Sequence, residues 1–187
     1  MAAVLETKAK RWTYEKYYKL DDDQRYEIIG GKLLMAPAPD TWHQSWVGQL
    51  YALVLSFVEA KGLGRVFIPP IDVVLDQRNT VQPDLVFIAS KNLEIIQRRA
   101  IFGTPDLLAE FLSPSSIRRD RYQKMKLYAR FGVKEYWIGD PANRSFEILS
   151  LKRGKYDLLC SAEERGRLRS SVLTGFEFDL ARIARHT

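Results

Sequence analysis

The 187-residue chain has a single cysteine, Cys160, which excludes an internal disulfide framework and a cysteine metal cluster. No apolar run approaches the roughly 18 residues of a membrane span. The opening stretch MAAVLETKAKRW lacks the apolar core of a signal peptide, so an intracellular, cytoplasmic and soluble protein is expected. There is no internal repeat, no low-complexity tract and no Pro/Gly/Ser-rich linker. One domain over 1–187 is therefore expected, with a charged, partly helical N-terminal extension (1–25), a core (26–160) and a C-terminal extension (161–187). Neither a zinc finger nor a basic zipper is present. What remains is ordinary globular composition, 46% apolar and 28% charged, with a net charge of +6 that favours polyanions without singling one out.

Helix and strand signals alternate along the chain. RYEIIGGKLLMA is a hairpin pattern, two apolar runs around Gly30-Gly31. Residues 44–61 carry Val47, Leu50, Tyr51, Val54, Phe57 and Val58 at helical spacing, and Gly62 stops the helix. Strands are expected at 65–68, 71–75 and 84–89, a short helix at 91–103, and a strand at 106–113. A helix follows over 115–132, with Ser115 and Ser116 available as caps and Gly132 after its end. Three more strands are expected at 134–140, 145–151 and 155–161. The mixture predicts an α/β or α+β fold, a mixed sheet flanked by helices.

Four charged residues fall where apolar ones are expected. Asp84 opens the run Leu85–Ala89, fixed behind Pro83; strand-opening aspartates are also common turn residues. Glu110 lies inside LLAEFLS, sharing a strand face with Leu108 and Leu112. A carboxylate there must be paired, metal-bound or protonated, and a core arginine would serve as well as a metal. Asp120 and Lys124 share a helix face with Leu127, Tyr128 and Phe131, whereas Lys126 points away. An i,i+4 surface pair is the plain alternative. Taken together, two carboxylates on core strands and an inward lysine suit a hard divalent cation and a phosphodiester.

At these residues the sequence resembles the PD-(D/E)XK nuclease superfamily, with an αβββαβ core. It is more closely similar to a bacterial family of restriction-endonuclease-like proteins catalogued as a domain of unknown function. The matching segments include YEIIGGKLL, WHQSWVGQL, IDVVLD, VQPDLVFIA, FEILSL and the long stretch from Pro105 to Pro141. The resemblance implies that Asp84 and Glu110 bind Mg²⁺, for which Mn²⁺ is a surrogate, together with the main-chain carbonyl of Phe111. The superfamily lysine would stand two residues after Glu110, where this chain has Leu112. The closer family puts that role on Lys124, the position that helix periodicity reaches independently. DNA is the implied substrate, and a homodimer or higher homo-oligomer the implied assembly.

Supporting positions follow. Asp120, one turn before Lys124, fixes the ammonium. His43 either contacts phosphate, transfers a proton, caps or packs. Asp72 either points into the site or is a strand carboxylate. Glu27 approaches the metal or cross-pairs in its hairpin. Gln82 holds the site from behind. Arg118, Arg119 and Arg121 offer phosphate contacts or form a solvated face. Two rivals stand beside the nuclease: a nuclease-like module that binds nucleic acid or protein without cutting, and an enzyme using Lys124 as a Schiff-base amine.

Overall fold

Two helices sit on opposite faces of one six-stranded sheet, and the alternation of strand side chains decides what each face sees. The computed structural model describes residues 11–22, 24–36 and 38–184. In chain order these give α1 (Tyr14–Tyr17), β1 (Tyr26–Ile29), β2 (Lys32–Met35), α2 (Thr41–Lys61), β3 (Gly64–Phe67), β4 (Val73–Asp76), β5 (Asn79–Val81), β6 (Leu85–Ala89), β7 (Ile101–Phe102) and β8 (Leu107–Phe111). A π-helical turn, Arg119–Lys124, leads into α3 (Met125–Phe131). The chain ends with β9 (Glu135–Asp140), β10 (Ser145–Lys152), β11 (Lys155–Glu163), β12 (Arg167–Arg169) and β13 (Glu177–Asp179). Residues 1–10 of the expected N-terminal helical extension lie outside the described residues.

The main sheet runs β11-β10-β9-β8-β6-β3, with β8 and β9 parallel and the other neighbours antiparallel. Taken as α2, β3, β6, β8, α3, β9, its elements follow the αβββαβ order expected. A smaller sheet, β2-β1-β5-β4-β7, carries the N-terminal hairpin. Gly30 and Gly31 have φ of 60° and 79°, the left-handed conformations that a tight primed turn demands.

One face of the main sheet presents Leu85, Phe87, Leu107, Ala109, Phe111 and Trp137 to Trp46, Leu50, Val54 and Val58 of α2. Leu168, Leu173, Phe176 and Phe178 close the same cluster, so the last stretch of chain completes the core beneath α2. The other face presents Val86, Ile88, Leu108, Leu112, Tyr136 and Ile138 to Leu127 and Tyr128 of α3 and to the smaller sheet. Glu110 is on this second face by strand alternation.

Three local expectations change. The helix expected from residue 44 begins at Thr41, because the Asp40 side chain accepts a hydrogen bond from the His43 N–H and caps it. The helix expected over 91–103 is a 3₁₀ turn, Ser90–Ile95, followed by β7. Ile101 pairs in parallel with Val73 there, and burial in the sheet outweighs the local helical pattern. In the helix expected over 115–132, neither serine caps the π-helical turn by its side chain; Ser116 instead accepts from the Ser113 N–H in the turn before it.

Gly139 of β9 sits directly beneath the Phe111 ring, and a Cβ there would overlap that ring and crowd Phe146. Phe111 packs in turn against Trp46 and His43. Gly139→Ala is expected to destabilise the protein by about 1–3 kcal/mol through overpacking, read from urea melts.

Candidate active site

The strand register brings Asp84 and Glu110 together. β6 and β8 pair as Leu85↔Ala109, Val86↔Leu108 and Phe87↔Leu107. Asp84 stands in the bend just before this ladder and Glu110 one residue past Ala109, so the two meet at the same end of the sheet. Both line one cleft of about 360 Å³ at the end of the sheet, with Glu27, His43, Gln82, Phe111, Arg119, Asp120 and Lys124 among its walls.

Lys124 lies at the base of this cleft, 2% exposed. Its ammonium is 2.7 Å from Glu27 Oε1, 2.8 Å from Glu110 Oε1 and 3.4 Å from Asp120 Oδ1. The π-helical turn and the α-helix after it put Asp120, Lys124, Leu127 and Tyr128 on the buried side. Lys126 is exposed. Tyr128 donates to Glu110 Oε1 at 2.7 Å, and the Tyr136 hydroxyl donates to the main-chain carbonyl of Asp120 at 3.1 Å. The carboxylate that helix and strand periodicity left out of this cluster is Glu27. It comes from β1 in the other sheet, and no local pattern announces where a separate hairpin docks. Nor does Glu27 meet a charge across its hairpin, where its partner is Leu34.

Gln82 holds Glu27 from the far side. Its N–H donates to Glu27 Oε1 at 2.9 Å, and its side-chain amide donates to Asp72 Oδ1 at 2.9 Å. Asp72 therefore stands behind Gln82, where it also accepts from Tyr17; it is not among the residues lining the cleft. Burial raises the Asp72 carboxyl above its usual range despite the two donors.

Asp84 is tied at one oxygen only. Its Oδ2 accepts from the Phe111 N–H at 2.7 Å and contacts His43 Nε2 at 3.1 Å. His43 thus reaches a carboxylate, while its own N–H is capped by Asp40. Burial lowers the imidazole pKa, but the hydrogen bond and charge of Asp84, with Asp40, outweigh it and the net shift is upward. Among the described residues no hydrogen bond reaches Asp84 Oδ1 or Glu110 Oε2.

The three arginines separate. Arg119 turns inward, with Nε 3.4 Å from Glu27 Oε2 and 3.5 Å from Asp120 Oδ1. Arg121 pairs with Glu147 at 2.8 Å on the flank, and Arg118 is exposed. Only Arg119 of the three lines the cleft.

The charge balance is uneven. Five carboxylates (Glu27, Asp40, Asp84, Glu110, Asp120) and three permanent cations (Arg25, Arg119, Lys124) line the cleft, and of these Glu27, Glu110, Asp120 and Lys124 are buried. Burial drives the Glu110 carboxyl well up, against the pull of Lys124, and Asp120, Asp84 and Glu27 add to the rise. Burial pulls Lys124 down, but Glu110, Glu27 and Asp120 raise it overall, so the amine stays protonated. A permanently charged amine is a poor Schiff-base nucleophile. Among the described residues no group of three or more His, Cys, Asp or Glu is arranged around a metal position. A site made of two carboxylate oxygens, main-chain oxygen and water nonetheless matches the ligation habit of Mg²⁺.

Removal of either charge tests this balance. Lys124→Ala strands three buried carboxylates and is expected to cost roughly 3–5 kcal/mol, whereas Lys126→Ala stays within about 0.5 kcal/mol. Glu110→Gln keeps acceptors for Lys124 and Tyr128 while removing surplus negative charge, and should match the parent protein or exceed it. Because the folded-state pKa of Glu110 is raised, the folded parent protein binds the extra proton at low pH and loses stability as pH rises through that pKa. The advantage of Glu110→Gln is therefore expected to grow as pH rises above the ordinary carboxyl range, read in urea melts.

The model of the Uma2 family, described as "Putative restriction endonuclease", matches residues 13–181. No curated protein matches the chain. Among solved structures the chain is similar to one reported as a putative nuclease belonging to DUF820 from Anabaena variabilis ATCC 29413. The two superpose with a TM-score of 0.76 over 92% of this chain and 97% of the other, at 16% identity, a likeness of fold. The fold is accordingly restriction-endonuclease-like, and with every cleft residue inside the matched span the chain belongs to the Uma2 family.

Proposed function

We propose that the cleft is the active site of a metal-dependent DNA endonuclease. The observation that carries this reading is the surplus of carboxylate over fixed cation in one cleft, with Asp84 Oδ1 and Glu110 Oε2 unpartnered among the described residues. Asp84 and Glu110, with the main-chain carbonyl of Phe111, are the groups that would hold Mg²⁺ or its surrogate Mn²⁺. When bound, such an ion supplies Lewis acidity toward a phosphate and acidifies its water.

The chain's own residues then have separate tasks. Lys124 offsets the negative charge that builds on the phosphate as the bond breaks. Glu27 and Asp120 keep that ammonium charged and in place. Tyr128 fixes the rotamer of Glu110. His43 and the Phe111 N–H together hold one oxygen of Asp84, so that the other faces the cleft. Gln82, braced by Asp72, steadies Glu27. Cutting both strands of a duplex would require two such sites, and a homodimer belongs to that version of the reading.

Supercoiled plasmid and single-stranded circular DNA, incubated with Mg²⁺ or Mn²⁺, provide the test. Asp84→Asn is the informative variant, since it leaves the Lys124 cluster intact. It is expected to lower the cleavage rate by about 10²-fold or more, the scale of losing one preorganised group. Lys126→Ala should change only a salt-sensitive component of DNA binding. If the parent protein cuts neither substrate with either metal, the non-cutting binding module replaces the nuclease.

A further inference from the structure

One cation of the cleft is held by its stem and not by its fork. Arg119 opens the π-helical turn that Lys124 closes, and its side chain, 19% exposed, lines the cleft. The atom that faces the carboxylates is Nε, 3.4 Å from Glu27 Oε2 and 3.5 Å from Asp120 Oδ1. Both separations are longer than the bonds of a closed arginine–carboxylate pair. Nε, Glu27 Oε2 and Asp120 Oδ1 are all buried without a hydrogen bond. The two terminal nitrogens of Arg119 have no hydrogen-bond partner among the described residues either, yet they are not among the buried atoms that lack one. They therefore keep access to solvent from the wall of the cleft.

An arginine that serves only as a counter-ion turns its fork to the carboxylate and closes two short bonds. Here the stem end is lodged against two carboxylates, and the planar fork keeps its donors open. That fork matches the non-bridging oxygens of a phosphate. It also stands beside the ammonium, since Asp120 Oδ1 is 3.4 Å from Lys124 Nζ and 3.5 Å from Arg119 Nε. Ser113 and Ser115 line the same cleft, and their hydroxyls meet at 3.2 Å, which leaves one hydroxyl proton uncommitted as a neutral donor. The neighbouring arginines are placed differently. Arg121 is occupied by Glu147 at 2.8 Å, and Arg118 does not line the cleft.

We propose that Arg119 is a substrate-binding residue: its terminal nitrogens take the non-bridging oxygens of a DNA phosphate in the cleft, while Nε stays lodged between Glu27 and Asp120. The proposal rests on the nuclease reading of the cleft and adds the group that grips the strand.

The test measures binding in EDTA, so that it does not depend on cleavage. Fluorescent DNA of mixed sequence, as single strand and as duplex, is titrated by anisotropy over a series of KCl concentrations. Arg119→Gln should weaken binding about tenfold, the scale of one lost charge-assisted contact. It should also make the slope of log K against log salt shallower by about 0.9 on duplex and about 0.7 on single strand, the share of one phosphate. Arg121→Gln removes the same charge from the same turn and should leave both quantities nearly unchanged. Arg119→Lys guards against a loss of fold. It keeps the cation, but a single ammonium lodged on the carboxylates offers no fork, so the urea midpoint should hold while affinity falls about threefold or more. Parent-like binding by Arg119→Lys, or by folded Arg119→Gln, overturns the proposal and leaves Arg119 as a neutraliser of Glu27 and Asp120. Equal losses in Arg119→Gln and Arg121→Gln overturn it too, as does a parent protein that binds neither form of DNA. Arg119-dependent binding without cleavage by Mg²⁺ or Mn²⁺ would sink the nuclease reading alone; cleavage by a parent protein whose Arg119 variants bind normally would sink this proposal alone.

Discussion

Everything at the cleft depends on one buried ammonium. Lys124 is surrounded by Glu27, Glu110 and Asp120, and those carboxylates come from a hairpin, a central strand and a helical turn. Without it, three like charges would face one another out of water, an arrangement that folding cannot sustain. With it, the cluster is tolerable but still negative. The same contact therefore joins two sheets and a helix and leaves the region short of positive charge. A structural pair would have been balanced locally; this one is not. That imbalance, rather than any single residue type, separates the cleft from an ordinary buried ion pair.

The layers around the cleft divide the labour. Strands β6 and β8 set the spacing of Asp84 and Glu110 through a register that cannot slip without turning every neighbour to the wrong face. Helix α2 brings His43 to Asp84 from one side of the sheet, and α3 brings Tyr128 to Glu110 from the other. The carboxylates are oriented by rigid elements and by donors that each occupy one oxygen. Glu27 is the contribution of the smaller sheet. Its position depends on Gln82, and through Gln82 on Asp72 and Tyr17, so the N-terminal turn takes part in holding the site.

Much of this was legible in the sequence, for identifiable reasons. Two-residue alternation placed Glu110 among Leu108 and Leu112, and helical periodicity turned Lys124 inward and Lys126 outward. Both signals are local and strong because apolar neighbours surround the charged residue. The main strands and the turns at Gly30-Gly31, Gly62 and Gly132 were readable for the same reason. β5 was not, since Asn79 and Thr80 are polar residues buried by partners elsewhere in the chain. The π-helical turn was hidden too, because a fixed 100° step cannot reveal a local widening of the helix. Tyr128 was placed on the correct face, but its bond to Glu110 depends on packing between elements. Arg119 and Arg121 differ by two positions and have opposite fates, which follow from where the hairpin and β10 lie.

The C-terminal stretch has a consequence for the life of the chain before it is finished. Leu168, Leu173, Phe176 and Phe178 complete the apolar layer under α2, the helix that presents His43, and Glu135 grips the loop at Ser170 and Ser171. A polypeptide still emerging from the ribosome has Asp84, Glu110 and Lys124 long before it has this layer. The layer that backs the helix presenting His43 is therefore synthesised after the residues that line the cleft.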